Sequence, residues 1–202
     1  MNLLKYLFFF SLILSSFHCF AQQKMLLLNG KEIEIKSYTV GEPYISYTKA
    51  NTKHTKTKTI EKYDVFSITK EDGTEDLIYK ADTLTFSVEE ARNYIRGEQA
   101  AMKYYHKPAN KWAAAAVGVS SSILSFYSLP LPMLYGVVIG RFNPKQMQIP
   151  ADVTIVGSST EEFRYGYNKK ARNLKIQQSL KWGYIGLGVG LAGLIVYGVT
   201  NH

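Results

Sequence analysis

The residues with catalytic or metal-binding potential are few and scattered. Ser120, Ser121 and Ser122 place three hydroxyls in a row. A nucleophilic serine needs a base within hydrogen-bond reach and a turn that exposes its Oγ, and no G-x-S-x-G elbow surrounds these three. Set inside an apolar stretch, they read as helix-packing residues. Glu89-Glu90 and Glu161-Glu162 are carboxylate pairs of the type used in acid–base catalysis. Sequence neighbours diverge on a helix, however, and both pairs fall in expected first turns, where the helix dipole favours anions. Asp64 could approach Asp72 or Asp76 across strands, although turn chemistry accounts for these aspartates. His54, His106 and His202 are far apart and form no H-x-x-x-H or His/Asp group with metal-ligand spacing. No phosphate-binding glycine loop of the Walker type is present. The expectation is a chain that is not an enzyme and holds no metal or cofactor.

The elements that would position any site begin with the N-terminus. Residues 1–21 carry Lys5, an apolar run and a small-residue exit at Cys19 and Ala21, the pattern of a signal peptide cleaved after Ala21. A retained anchor is the alternative, and the apolar run is short for one. Cys19 is the only cysteine, and Phe17 and His18 before it suit a lipoprotein signal poorly. The mature chain would then have no disulfide and no thiol.

Residues 22–84 read as short strands. Glu32 to Tyr38 alternates polar and apolar side chains, Tyr44 to Tyr47 alternates again, and Asn29-Gly30 and Asp72-Gly73 are tight-turn signals. The expected fold class is an α+β membrane protein whose β part is a small antiparallel meander or barrel-like domain of five or six strands. Lys53, Lys56, Lys58 and Lys62 form a basic stretch, which in alternation with Thr reads as a solvated or edge-protecting strand and not as a nucleic-acid patch. Tyr38, Tyr44, Tyr47, Tyr63 and Tyr79, among 15 tyrosines, suit either an interaction face or the core of the sheet.

Residues 85–111 open with a capping box, Ser87 with Glu90, and an amphipathic helix from Val88 to Tyr105. Val88, Ala91, Ile95, Met102 and Tyr105 share a face, interrupted by Glu98, that is expected to pack on the sheet.

Two uncharged stretches follow. Residues 112–140 hold 29 positions without a charge, and residues 182–200 are likewise uncharged. As one straight helix the first would be about 43 Å long, against a hydrocarbon core of about 30 Å. Pro130 and Pro132 should kink it. Trp112 begins the first segment as an interfacial anchor and Arg141 closes it. Ala114, Gly118 and Ser122 in the first, and Gly186 and Gly190 in the second, recur at four-residue spacing and would let two backbones approach closely. The expectation is two transmembrane helices in an antiparallel hairpin, with formation of a homo-oligomer as a further option.

Between the segments, residues 141–181 carry eight basic residues against Asp152, Glu161 and Glu162, a balance of 8 − 3 = +5 in a chain of net charge +8. Arg164, Lys169, Lys170, Arg172, Lys175 and Lys181 lie on a helix capped by Ser159 with Glu162, whose other side is Phe163, Tyr167, Ala171 and Leu174. By the positive-inside rule this loop would be cytoplasmic and the β-rich domain periplasmic, at the bacterial inner membrane. A basic amphipathic helix there also attracts anionic headgroups. The expected partners are membrane lipids and an envelope protein, with no nucleic acid.

The order of these pieces resembles uncharacterised Gram-negative envelope proteins that combine a signal peptide, a short β-rich region and two Gly-rich transmembrane segments around a basic linker. The matching residues are Leu28-Asn29-Gly30, Asp64 to Ile68 with Asp72-Gly73, Gly97-Glu98, and Tyr165-Gly166-Tyr167 with Ala171 and Lys175. The resemblance implies an envelope location and no particular activity. The functional expectation is a non-enzymatic inner-membrane protein that presents a periplasmic β-domain for protein interaction or scaffolding. The alternative is a membrane-active or transport-accessory protein whose Gly-rich hairpin oligomerises.

Overall fold

The computed structural model describes residues 22–50, 56–83, 85–106, 108–124, 129–142, 147–150 and 153–200. The expected signal peptide with Cys19, and Lys53, His54, Lys107, Lys145, Asp152 and His202, lie outside them. The chain divides into two compact units, one ending at Ala81 and the other starting at Asp82.

The first unit is a six-stranded antiparallel sheet: β1 (Gln23–Leu27), β2 (Glu32–Val40), β3 (Tyr44–Lys49), β4 (Thr57–Glu61), β5 (Val65–Thr69) and β6 (Glu75–Leu77). Alternation decides its inner face. Ile33 and Ile35 of β2 are buried while Glu32 and Glu34 are exposed, and Met25, Leu27, Ile45, Tyr47, Val65 and Ile68 complete one apolar cluster. Asn29-Gly30 turns β1 into β2, with Gly30 at φ 75° and the Lys31 N–H donating to Asn29 Oδ1 at 3.1 Å. Asp72-Gly73 does the same before β6, with Gly73 at φ 82° and Asp72 accepting from the Thr74 N–H at 2.8 Å.

The strand order is β4-β3-β2-β1-β5-β6. The first four strands form the expected meander, but β5 returns to pair with β1 and places β1 inside the sheet. No pairing closes β4 onto β6 among the described residues, so the barrel-like reading gives way to an open sheet. β4 is an edge strand among the described residues, and its exposed Lys58 fits the edge-protecting reading.

The second unit is helical: α1 (Val88–Tyr104), α2 (Pro108–Ser121), α3 (Leu131–Gly140) and α4 (Glu161–Thr200). Ser87 and Glu90 form the capping box that starts α1, the Ser87 N–H donating to Glu90 Oε2 at 2.7 Å. The apolar face of α1, expected from the sequence to pack, meets α4. Ala100, Ala101 and Tyr105 cluster with Phe163, Tyr167 and Ala171. Met102 is exposed, whereas Glu98 is buried. α4 starts at Glu161, but Thr160 and not the expected Ser159 caps it: the Phe163 N–H donates to Thr160 Oγ1 at 3.3 Å.

The first apolar stretch is not one helix. It divides into α2 and α3, with Pro130 capping α3, and both are shorter than a span. Among the described residues α4 alone is long and apolar enough to cross a membrane. The expected hairpin of two transmembrane helices is therefore replaced by one long helix flanked by two short ones. The directions also differ from expectation. Trp112 meets Trp182, Ala115 lies against Gly186 and Ser122 against Gly190, so α2 and α4 advance together and are parallel. Pro132 lies against Gly183, Gly136 against Leu180 and Gly140 against Ile176, so α3 runs back antiparallel to both.

Candidate membrane interface

The helical unit is held together differently at its two ends, and α4 belongs to both. At the N-terminal end of α4, Phe163, Tyr167 and Ala171 are fully buried against α1. A Cβ at Gly97 would strike the Phe163 carbonyl, and one at Gly166 the Tyr94 carbonyl, so the two backbones touch directly. Around that contact lies a polar cluster. Tyr94 donates its hydroxyl proton to Glu98 Oε1 at 2.5 Å, Lys170 Nζ stands 3.4 Å from Glu98 Oε2, and Lys169 Nζ donates to the Tyr94 hydroxyl at 2.8 Å. Burial, with the Glu98 hydrogen bond next, pushes the Tyr94 hydroxyl well above its ordinary pKa, so it stays a donor at any physiological pH. Every member has a partner, which makes this cluster a tie between α1 and α4.

Past Trp182 the chemistry changes. Gly118 fits against the backbone of Gly183 and Leu187, Gly186 against Ala115, and Gly190 against Ser122 and the Val119 carbonyl. Of the five helix-packing residues expected from sequence, Gly118, Ser122, Gly186 and Gly190 lie in this α2–α4 contact, and Ala114 is buried beside Gly183. The Ser121 and Ser122 hydroxyls donate back to the Gly118 and Val119 carbonyls at 2.7 Å, which satisfies them inside their own helix.

The outer surface of this end is apolar. Ile123 and Leu124 are exposed just after α2, and Met133, Leu134, Val137 and Val138 are exposed on α3, beside the 176–183 stretch of α4. From Leu191 onward α4 is exposed on every side, Ile195 by 67% and Val199 by 74%. Gly193 and Gly198 have nothing within 4 Å among the described residues. A helix that is apolar all round is at home in lipid and costly in water.

A basic rim borders that surface. Arg164, Lys169, Arg172 and Lys181 are exposed, and Lys170 is half-buried through its bond to Glu98. Lys175 lies inside the fold. It is 7% exposed, and its Nζ donates to the Phe142 carbonyl at 3.1 Å, so it ties the end of α3 to α4.

Asp72 and Asp76, singled out from the sequence, are used structurally. Asp72 holds its turn through Thr74, and Asp76 pairs with Lys70 at 2.8 Å and accepts from the Tyr38 hydroxyl at 3.3 Å. Lys70 holds the Asp76 carboxyl below the usual carboxylate range, and the Thr74 hydrogen bonds do the same for Asp72. Among the described residues no three His, Cys, Asp or Glu side chains are grouped closely enough to hold a metal ion.

The tyrosines divide between the two expected roles. Tyr47 is in the core and Tyr79 stacks near Phe66 at 5.9 Å, while Tyr44 and Tyr63 are exposed by 52% and 82%. Tyr44 pairs with Glu61, two residues before Tyr63, and Val40 pairs with Ile45, so Val40, Tyr44 and Tyr63 share one end of the sheet. This small patch had no periodic signal in the sequence, because its members come from a strand end, a strand start and a single-turn 3₁₀ helix.

No family model, no curated protein and no solved structure matches the chain.

Proposed function

We propose that this is a non-enzymatic bacterial inner-membrane protein, anchored by its helical unit, that presents the six-stranded sheet to an envelope protein in the periplasm. The observation that carries this reading is the apolar half of α4 beyond Trp182, exposed on every side from Leu191 onward, in a chain whose other unit is a compact sheet. From Trp182 to Thr200 a helix rises about 28 Å, close to the thickness of a hydrocarbon core. The export signal expected in residues 1–21, and the resemblance to envelope proteins of like organisation, support the periplasmic location of the sheet.

The contact surface in this reading is the sheet end with Val40, Tyr44 and Tyr63. Exposed tyrosines offer apolar area with a hydroxyl and lose little conformational freedom on contact. A photoreactive residue placed at Tyr63 in the full chain, in cells, should give a discrete crosslinked adduct, while one at Lys36 on β2 should not. Absence of an adduct at Tyr63, or equal adducts at both positions, contradicts the reading.

The oligomerising alternative rests on the same glycines. Gly118, Gly183, Gly186 and Gly190 are occupied within the chain by α2–α4 contacts, which favours the anchoring role over a ring built from those positions.

A further inference from the structure

The directions of α2, α3 and α4 carry a consequence for which parts of the chain share a side of the membrane. Two stretches flanking a basic loop would ordinarily be two crossings, with the loop opposite the N-terminal domain. Here α2 enters alongside α4 in the same direction, and its last residues reach only to Gly190. That level is about 12 Å beyond Trp182, less than half of a hydrocarbon core of roughly 30 Å. α3 runs back from the level of Gly183, where Pro132 lies, to that of Ile176, where Gly140 lies, and so stands on the charged side of Trp182. Tyr184 supports the turn from α4 by donating to the Leu129 carbonyl at 3.4 Å. The two tryptophans mark one common level, with ring centroids 6.5 Å apart, and each follows a lysine, Lys111 and Lys181. Arg141 follows the end of α3 at the same end of the unit.

We infer that α2 and α3 form a re-entrant hairpin in which the end of α2 enters one leaflet and α3 lies along its headgroups, and that its ligand is the lipid of that leaflet, with Lys111, Arg141 and Lys181 at the level of anionic headgroups. The inference rests on the membrane reading given above. Ile123 and Leu124, beyond Trp182, face outward and meet acyl chains, Met133 and Val137 on α3 lie at the level of the headgroups, and the inner faces of both helices are satisfied by α4. Only α4 crosses. The sheet, the 141–160 connection and the basic half of α4 are then all on one side, and the C-terminus is on the other. The basic residues of 141–181 do not mark the side opposite the sheet. They border the leaflet that the hairpin enters, where each exposed Lys or Arg near an anionic surface contributes about 1 kcal/mol of attraction.

The test uses the full chain in a Cys19→Ser background with cysteines introduced singly, Glu71→Cys in the sheet unit, Arg164→Cys in α4 and Asn201→Cys at the C-terminus. Each is treated with a membrane-impermeant maleimide in intact spheroplasts and again after lysis. The expected result is that the cysteines at positions 71 and 164 react in the same preparation, and the cysteine at 201 in the other. Reaction of 71 and 164 from opposite sides overturns the re-entrant hairpin while leaving membrane insertion intact. Release of the whole chain by alkaline carbonate overturns the membrane reading, and the hairpin with it. Native tryptophans give a second measurement that needs no cysteine. In proteoliposomes containing lipids brominated at graded depths, Trp112→Phe and Trp182→Phe chains should show the same quenching depth, near the headgroups. Unequal depths contradict a shared leaflet.

Discussion

The contact of α1 with the first half of α4 and the contact of α2 with its second half are built on the same backbone device and finished with opposite chemistry. In both, glycines bring helices together until a Cβ would collide with a carbonyl, at Gly97 and Gly166 in one and at Gly118 and Gly186 in the other. Around the first contact lie buried rings, a buried carboxylate and lysines that reach it. Around the second there are no charges at all between Trp182 and Thr200, and the outward residues are aliphatic. In the proposed membrane reading, the difference reflects the solvent each contact answers to. Beside water, burying Phe163 and Tyr167 stabilises the contact through the hydrophobic effect, and polar groups are tolerated because they are paired. Beside lipid, tails are as apolar as Leu, so close van der Waals approach is what remains to hold helices together.

Truncating a large side chain should separate the two contacts most strongly. Tyr167→Ala should cost about 3–5 kcal/mol, the usual effect of removing a fully buried ring. Leu187→Ala, at a position only 3% exposed, should cost well below the ~2–5 kcal/mol that such a truncation costs in a water-surrounded core. Chemical unfolding of each variant in lipid-like detergent, read by circular dichroism, makes the comparison. Equal losses would mean that both contacts answer to water.

Filling the glycines should erase the difference. Gly97→Val and Gly186→Val each drive a side chain into backbone, and both should cost about 1–3 kcal/mol or more in the same assay. Glu98→Ala removes the acceptor for the Tyr94 hydroxyl and the partner of Lys170, and should cost about 1–3 kcal/mol, with Glu98→Gln retaining part of it. That effect belongs to the first contact only. At the smaller end, Gly188 has nothing within 4 Å among the described residues, so Gly188→Ala should raise stability by about 0.5–1 kcal/mol through helix propensity.

Acid should act weakly and mainly on the sheet. Glu42, Asp72 and Asp76 are held below the usual carboxylate range, Glu42 by its hydrogen bond to Lys62. A carboxyl whose folded pKa is depressed stabilises the fold fully above its unfolded pKa of about 4, and that contribution is lost as pH falls through the lower folded value. Glu90 at the start of α1 is held down by Ser87 in the same sense. Calorimetry between pH 7 and pH 3 should lower the midpoint of the sheet more than that of the helices, by a small amount because all four groups are exposed.

Local signals in the sequence account for the pieces of the fold, and non-local ones for what was missed. The alternation from Glu32 to Tyr38, the turns at Gly30 and Gly73 and the Ser87–Glu90 cap each depend on a few neighbouring residues, so they could be read directly. The return of β5 to β1 joins strands with three others between them in the chain, and no local pattern encodes that choice. The small-residue spacing of Gly118, Ser122, Gly186 and Gly190 pointed to a close helix contact, but the same spacing serves a parallel or an antiparallel pair. The direction depends on whether Pro130 and Pro132 bend the first apolar stretch or reverse it, and a proline removes a hydrogen bond in either case. The buried Lys175 was read as a surface cation because its partner is a carbonyl, which leaves no mark in a sequence.

The central claim is that one continuous helix passes from water to lipid at Trp182. Nitroxide side chains placed one at a time along α4 in proteoliposomes, at exposed positions from Arg164 to Val199, report this directly through their relative collisions with a water-soluble nickel complex and with oxygen. Nickel accessibility should be high at Arg164 and Arg172, fall sharply at Trp182, and give way to oxygen at Ile185, Val189 and Ile195. Nickel accessibility that stays high at Ile185, Val189 and Ile195 would contradict insertion of that half of the helix.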